Sequence, residues 1–264
     1  MAAYGKVRGL AKPIGSLPAR IYPIQTNASE TKAAIITAPI DFAAGDTIDD
    51  ELAQKLHTDF NEEITAGRTY PQEEQLTRDG YATYFQSYDL IIGFHLTNTQ
   101  LQTLHPSTSP IPETGLPLPP TKFSSITLAT SPPPPQDPQK TNDVVTLPQT
   151  YAFAYYIKPN YPGRSSHLCN AGFIVPPSSR GQGLGRIAAR SFCYYGPACG
   201  YRGSVFNLVY VNNEASVKLW ERLGFKNVGR IPEAGRLRKA DGEGEEYVDA
   251  WVVHGDFRVV GVRD

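Results

Sequence analysis

Arg180-Gly181-Gln182-Gly183-Leu184-Gly185 sets glycines at alternate positions between two regular stretches. Before it, the run from Asn170 to Val175 reads as a strand, followed by a short Pro/Ser turn. After it, Leu184, Ile187, Ala188 and Phe192 fall at helical spacing. Strand, glycine turn and helix make an anion cradle. Glycine accepts positive φ and lets a ligand approach the backbone, and the first helical turn offers unpaired N–H groups and the positive end of its dipole. Phosphate or pyrophosphate is the usual guest. No Lys-Ser/Thr follows Gly185, which argues against a triphosphate loop, and the glycines do not fit the Gly-x-Gly-x-x-Gly of a dinucleotide fold. Arg180 and Arg186 can add charge to such a site, or can simply decorate a solvated helix end.

Other residues invite a chemical reading. Asn170 and Asn207 lie in otherwise apolar strands, where asparagine is disfavoured and an unpaired buried amide is costly. Either neighbouring backbone satisfies them or they reach into a cleft and hold a ligand. His167 is the nearest ordinary base in sequence, although a loop histidine is commonly a surface residue. Tyr70, in the turn after the first helix, either walls a pocket or packs on that helix. Cys169 neighbours Asn170 and so faces the other side of the strand, as core. Trp220 packs at a helix face.

The elements that must position these residues follow from periodicity. Ile21–Ile24 and Ala33–Thr37 read as short strands, the first at an edge because of Pro23. Ile48, Leu52, Leu56, Phe60 and Ile64 repeat every four residues in a helix capped by Asp46 or Thr47 and ended by Gly67. A second helical run carries Leu76, Tyr81 and Phe85, and the run from Leu90 to Phe94 is a buried strand. From about Thr97 to Thr150 the chain turns rich in Pro, Ser and Thr, with four prolines at Pro132–Pro135. It reads as an insertion looping out between paired strands, which loop-closure entropy tolerates. The strand pattern resumes at Tyr151–Lys158, then Cys169–Val175 and Ser204–Val211. Asn212 and Asn213 open a helix over Ala215–Leu223, and Tyr247–Val253 closes the series.

With 264 residues the chain can bury a sizeable core, as one domain over 19–264 behind a flexible segment at 1–18. A net charge of −1 leaves no footprint for nucleic acid or an anionic membrane, and no apolar run approaches the ~20 residues of a membrane span. The three cysteines are too few for a disulfide framework and lack zinc spacing, so no metal and a reducing, cytoplasmic setting are expected. The basic stretch before Glu30 leaves a mitochondrial address open.

Two separated motifs carry a resemblance. Arg180–Gly185 is similar to the Arg/Gln-x-x-Gly-x-Gly/Ala loop of the GNAT superfamily of N-acetyltransferases. The run from Asn213 to Phe225 resembles its Asn-x-x-Ala-x-x-x-Tyr-x-x-x-Gly-Phe signature, with Ser216 at the alanine and Trp220 at the tyrosine. Arg68–Gln72, Tyr156–Tyr161, Cys169–Phe173 and Phe206–Val209 further resemble yeast enzymes of that superfamily that acetylate the proline analogue azetidine-2-carboxylate.

The resemblance implies an α+β fold: a central, mostly antiparallel twisted sheet with a splayed strand pair, flanked by helices. It implies acetyl-CoA as cosubstrate, held by Phe173, Ile174, Val175, Arg180, Gly181, Gln182, Gly183, Leu184, Gly185, Arg186, Asn213 and Ser216. It places the acceptor against Asn170, Asn207, Leu208, Tyr70 and Phe173, and gives Asn170, Asn207 and Asn213 the catalytic duties. It implies direct transfer to a small amino or imino acid by a homodimer. Tryptophan at 220 removes the usual leaving-group acid, and Tyr194, Tyr195 and Tyr210 are the candidate substitutes, with no spacing argument for any of them. The alternatives are the same fold acting on a polyamine or a protein N-terminus, or a non-catalytic acyl-CoA-binding module.

Overall fold

The computed structural model describes residues 17–24, 34–42, 46–107, 109–118 and 151–260. The segment expected to be flexible, up to residue 16, and the Pro132–Pro135 run lie outside them. Alternating apolar residues build nine strands into one sheet. In chain order they are β1 (Arg20–Pro23), β2 (Ala34–Asp41), β3 (Asp89–Leu96), β4 (Leu116–Pro117), β5 (Tyr151–Pro159), β6 (Leu168–Ile174), β7 (Gly203–Tyr210), β8 (Lys226–Arg238) and β9 (Glu245–Asp256). Their spatial order is β4-β1-β2-β3-β5-β6-β7-β9-β8. Every pairing is antiparallel except β6 with β7. The fold is the expected α+β arrangement.

Period-two patterning splits the core into two layers. Ile21, Ile36, Ile92, Ala154 and Tyr156 point to one face, beneath α1 (Asp50–Ala66) and α2 (Arg78–Phe85). Tyr22, Ile35, Ile91, Phe153 and Tyr155 point to the other, beneath α4 (Leu184–Ala198) and α5 (Glu214–Arg222). Each fully buried side chain of this size contributes on the order of 1.5–3 kcal/mol. Polar bolts set the helices on the sheet. Tyr151 donates to the buried Asp59 carboxylate of α1 at 2.6 Å. The Tyr155 and Ser191 hydroxyls meet at 2.8 Å under α4.

Several expectations are corrected. Asp49, not Asp46 or Thr47, caps α1 through the Leu52 N–H at 2.7 Å; Asp46 instead accepts the Asp41 N–H and closes the turn after β2. Leu52, Leu56, Phe60 and Ile64 are buried and Gly67 ends the helix, as the spacing requires. β1 is not an edge strand, since β4 pairs with its outer side. The stretch beginning at Thr97 holds α3 (Asn98–Leu104), whose capping box joins Thr97 and Gln100, as well as β4. Its flanking strands β3 and β5 pair with each other. The largest omission is β8, which runs antiparallel to β9.

Candidate active site

β6 and β7 pair only at Leu168–Gly203 and Cys169–Ser204. Beyond Cys169 they part, and β7 carries an irregularity between Phe206 and Val209. A cleft opens on each face of the wedge. The larger, of about 930 Å³, lies against α4 and α5. The smaller, of about 400 Å³, lies against the end of α1. Phe173, Val175, Arg180 and Asn213 line both, so the clefts meet there.

The glycine loop forms the wall of the larger cleft. Gly181 and Gly183 take φ of 77° and 73°, which a side chain resists. A Cβ added at Gly181, Gly183 or Gly185 would meet nothing within 4 Å, so this backbone lies open to a ligand. Gly183 is the N-cap of α4 and has no side-chain cap, which leaves the first N–H groups of the helix to an outside acceptor. Arg20, Arg180, Arg186, Arg190 and Arg222 line the same cleft, against one carboxylate among the described residues, that of Glu113. Such a balance suits a polyanion. Four of the five arginines are already engaged. Arg180 donates to the Val175 carbonyl at 3.1 Å and pairs with Glu63. Arg186, at 3.4 Å, and Arg190 both reach Glu113. The Arg20 guanidinium stacks 3.9 Å from the Tyr194 ring centroid.

Of the residues expected to hold the cosubstrate, Phe173, Val175, Arg180, Gly181, Gly183, Leu184, Gly185, Arg186, Asn213 and Ser216 line this cleft. Ile174 turns to the smaller one. Gln182 lies outside both, its amide 3.4 Å from the Ser178 carbonyl. Asn213 caps α5 through the Ser216 N–H at 3.2 Å, so the signature asparagine positions its own helix at the junction. Trp220 is buried against Phe173, Phe206 and Phe225, a packing duty.

In the smaller cleft Tyr70 donates its hydroxyl to the Phe173 carbonyl at 2.9 Å. Burial, with Tyr84 and Glu63 nearby, pushes this phenol well above its ordinary pKa, so it acts as a donor and not as a base. Glu63 is the cleft's one carboxylate and also accepts from Thr69 at 2.9 Å. The Asn212 side-chain amide oxygen, Oδ1, is buried there without a partner among the described residues.

Asn170, Asn207 and Leu208 line neither cleft. Asn170 accepts the Ala171 N–H at 2.8 Å. Asn207 forms a reciprocal amide pair with Asn160, at 3.0 and 2.7 Å, and accepts from Tyr161 at 3.2 Å. Leu208 is exposed. His167 is exposed and bonded to the Arg164 carbonyl. Tyr195 is buried and tied to Thr37, Tyr210 is buried, and only Tyr194 of the three phenols lines a cleft.

Sequence reasoning missed Arg190, Glu63, Asn212 and Asn160. Arg190 follows Arg186 by one helical turn, a spacing that would have found it. Glu63 carried no such signal, because nothing local says what its helix face meets.

A splayed sheet with an anion cradle in one cleft and a second cleft behind it defines an acyl-carrier-dependent transferase. Comparison with known proteins agrees. The model of the acetyltransferase (GNAT) family matches residues 148–225. N-acetyltransferase aca1 of Schizosaccharomyces pombe is 36% identical over 208 residues, covering 79% of this chain and 81% of that protein. Among solved structures, a GCN5-related N-acetyltransferase from Kribbella flavida has a TM-score of 0.54 at 21% identity, covering 83% of this chain and 97% of that one. A phosphinothricin acetyltransferase from Sinorhizobium meliloti in complex with acetyl-CoA has a TM-score of 0.51 at 13% identity, covering 83% and 88%. The chain belongs to the GNAT family and is an acetyl-CoA-dependent N-acetyltransferase.

Proposed function

We propose that this enzyme acetylates the nitrogen of a small amino acid, a proline analogue or related cyclic imino acid such as azetidine-2-carboxylate, by direct transfer in a ternary complex. The observation that carries the reading is the meeting of the two clefts at Phe173, Val175, Arg180 and Asn213. One holds the donor and the other, less than half its size, admits a small acceptor to the same point.

The chain's own groups fit the cosubstrate. The uncapped N–H groups after Gly183 and the surrounding arginines suit a diphosphate. The unpaired edge of β6 beyond Cys169 suits an extended amide-bearing arm. Acetyl-CoA supplies the acetyl group as a thioester, which an unprotonated amine attacks with release of the thiol. On the acceptor side, Tyr70 and Phe173 would wall the substrate. The side-chain amide oxygen of Asn212, without a partner among the described residues, is the acceptor available to its N–H groups, and Glu63, shared by Arg180 and Thr69, adds negative charge beside it. Desolvation in so small a cleft favours the neutral amine that the reaction needs.

A polyamine acceptor would call for a long acidic groove. The smaller cleft offers one carboxylate, itself paired with Arg180. The test is thiol release from acetyl-CoA with azetidine-2-carboxylate, spermidine or a short peptide as acceptor. Turnover confined to the imino acid is expected, and a preference for spermidine or the peptide would overturn the assignment. A homodimer belongs to the same reading, and sedimentation velocity measures it directly.

A further inference from the structure

One cation on the α1/α2 face of the sheet, Lys158, has no carboxylate partner among the described residues. Lys158 stands opposite Asn170 in the β5–β6 register, so their side chains share that face. Its Nζ sits 4.3 Å from the Tyr84 ring centroid and 4.4 Å from that of Tyr156. The two phenol oxygens lie 3.2 Å apart and close the cage. Tyr156 in turn lies flat on the backbone of Gly172, where a Cβ would come within 2.6 Å of its Cε1. The ammonium and Asn170 therefore lie just outside the smaller cleft, whose lining includes neither, beside the strand position next to Phe173, the wall shared by both clefts. Phe60 links the regions, with Tyr70 and Tyr84 packed on it at 4.9 and 5.6 Å.

Among the described residues, no carboxylate pairs with Lys158. Glu63 is held by Arg180 and Thr69, and Asp59 by Lys55 and Tyr151. Asp89 stands opposite Ile157, whose side chain belongs to the other face. Burial alone pushes the ammonium down to about 8, so it still carries charge near neutrality. Ring faces compensate a desolvated cation only in part, and an unpaired, half-buried charge is costly. Beside it, the Asn170 oxygen is spent on the Ala171 N–H, so the side chain has its NH2 group left to offer. An ammonium and an amide NH2 on one face make a two-donor seat for a carboxylate.

We propose that Lys158, gripped by Tyr84 and Tyr156, anchors the carboxylate of the acceptor and selects amino and imino acids over cationic or neutral amines. This deepens the function proposed above and rests on it. A polyamine would meet a positive charge at this wall, whereas an amino acid completes an ion pair that the fold leaves open.

The test compares azetidine-2-carboxylate with azetidine-2-carboxamide, which keeps the ring nitrogen and loses the anion. In the native enzyme the ratio of kcat/KM, acid over amide, should exceed about tenfold. Lys158→Met should lower that ratio by about thirtyfold or more, mainly through the KM of the acid, as expected for truncating one partner of a desolvated ion pair. Lys158→Arg should keep most of the preference. A ratio that stays put in Lys158→Met, whether both rates fall together or neither changes, overturns the anchor and leaves the acetyltransferase assignment standing. Native enzyme that ignores both azetidines and turns over spermidine overturns the acceptor assignment, and the anchor with it. Coenzyme A affinity by calorimetry reports that each variant is folded, and Lys158→Gln replaces the methionine variant if that one is not.

Discussion

On the side of the sheet covered by α4 and α5, the anion-binding part of the cleft is drawn in backbone, with arginine side chains around it. Its floor is the open edge of β6, its wall a run of glycines, and its end the uncapped first turn of α4. On the side covered by α1 and α2, the cleft is drawn in side chains from distant segments: Glu63 from α1, Tyr70 from the loop after it, and Asn212 from the end of β7. In the function proposed above, the first surface takes the part that every acyl-CoA shares. The second can be altered one residue at a time without disturbing the sheet, which is where a family of one donor and many acceptors has to vary. Binding energy on the two sides should therefore respond differently to substitution.

The sharpest contrast is in stability. Trp220 roofs the donor side, 5% exposed and packed on Phe173, Phe192, Phe206 and Phe225. Trp220→Ala should cost about 3–5 kcal/mol in urea unfolding. A loss below about 1 kcal/mol would show that the cluster relaxes around the hole and that the donor side is no stiffer than the acceptor side.

Gly183→Val comes next. At φ 73° a β-branched residue is strained by roughly 1–3 kcal/mol, and its methyl groups enter the open space of the cradle. Coenzyme A should bind about tenfold or more weakly by calorimetry, while the acceptor KM at saturating acetyl-CoA holds steady. Unaltered coenzyme A affinity would move the donor's diphosphate away from this loop.

How much of this was readable from the chain follows the same division. The glycine loop and the Asn213 cap are local, written in consecutive residues whose backbone needs are their own explanation. α1 was readable from its four-residue repeat, although its cap was expected at Asp46 or Thr47 and the geometry gives it to Asp49. α3 hid in a proline-rich stretch because seven residues show little period. β8 hid because it is broken by glycine and proline and is largely exposed, so its pairing with β9 is what makes it a strand. The acceptor side was readable in residue type and not in placement. Asn207 stood out as an amide in an apolar strand, yet its partner Asn160 comes from the end of β5, and no spacing rule joins them. Lys158 stood in plain sight, but its meaning depends on Tyr84 of α2, several elements back in the sequence.

Asn207→Ala separates the two duties that geometry and resemblance give this residue. If its amide orients the acceptor, the acceptor KM should rise or turnover fall several-fold, in line with about 1 kcal/mol for one hydrogen bond, and coenzyme A affinity should be spared. Unchanged kinetics with a small loss of stability would confine Asn207 to tying β7 to Asn160.

The smallest effect concerns Glu113, the one acid in the basic cleft. It reaches Arg186 at 3.4 Å and also pairs with Arg190, and all three side chains are partly exposed. A partly exposed ion pair is worth about 0–1 kcal/mol, so removing its carboxylate costs little in folding, and the arginines gain room for a phosphate. Glu113→Gln should therefore tighten coenzyme A about two- to fivefold at low ionic strength, and the gain should fade in concentrated salt as the field is screened. Weaker binding would mean that Glu113 holds the two arginines in their receiving posture. The donor side would then depend on side-chain scaffolding as the acceptor side does, and the contrast between the two clefts would be lost at the point where the cradle meets solvent.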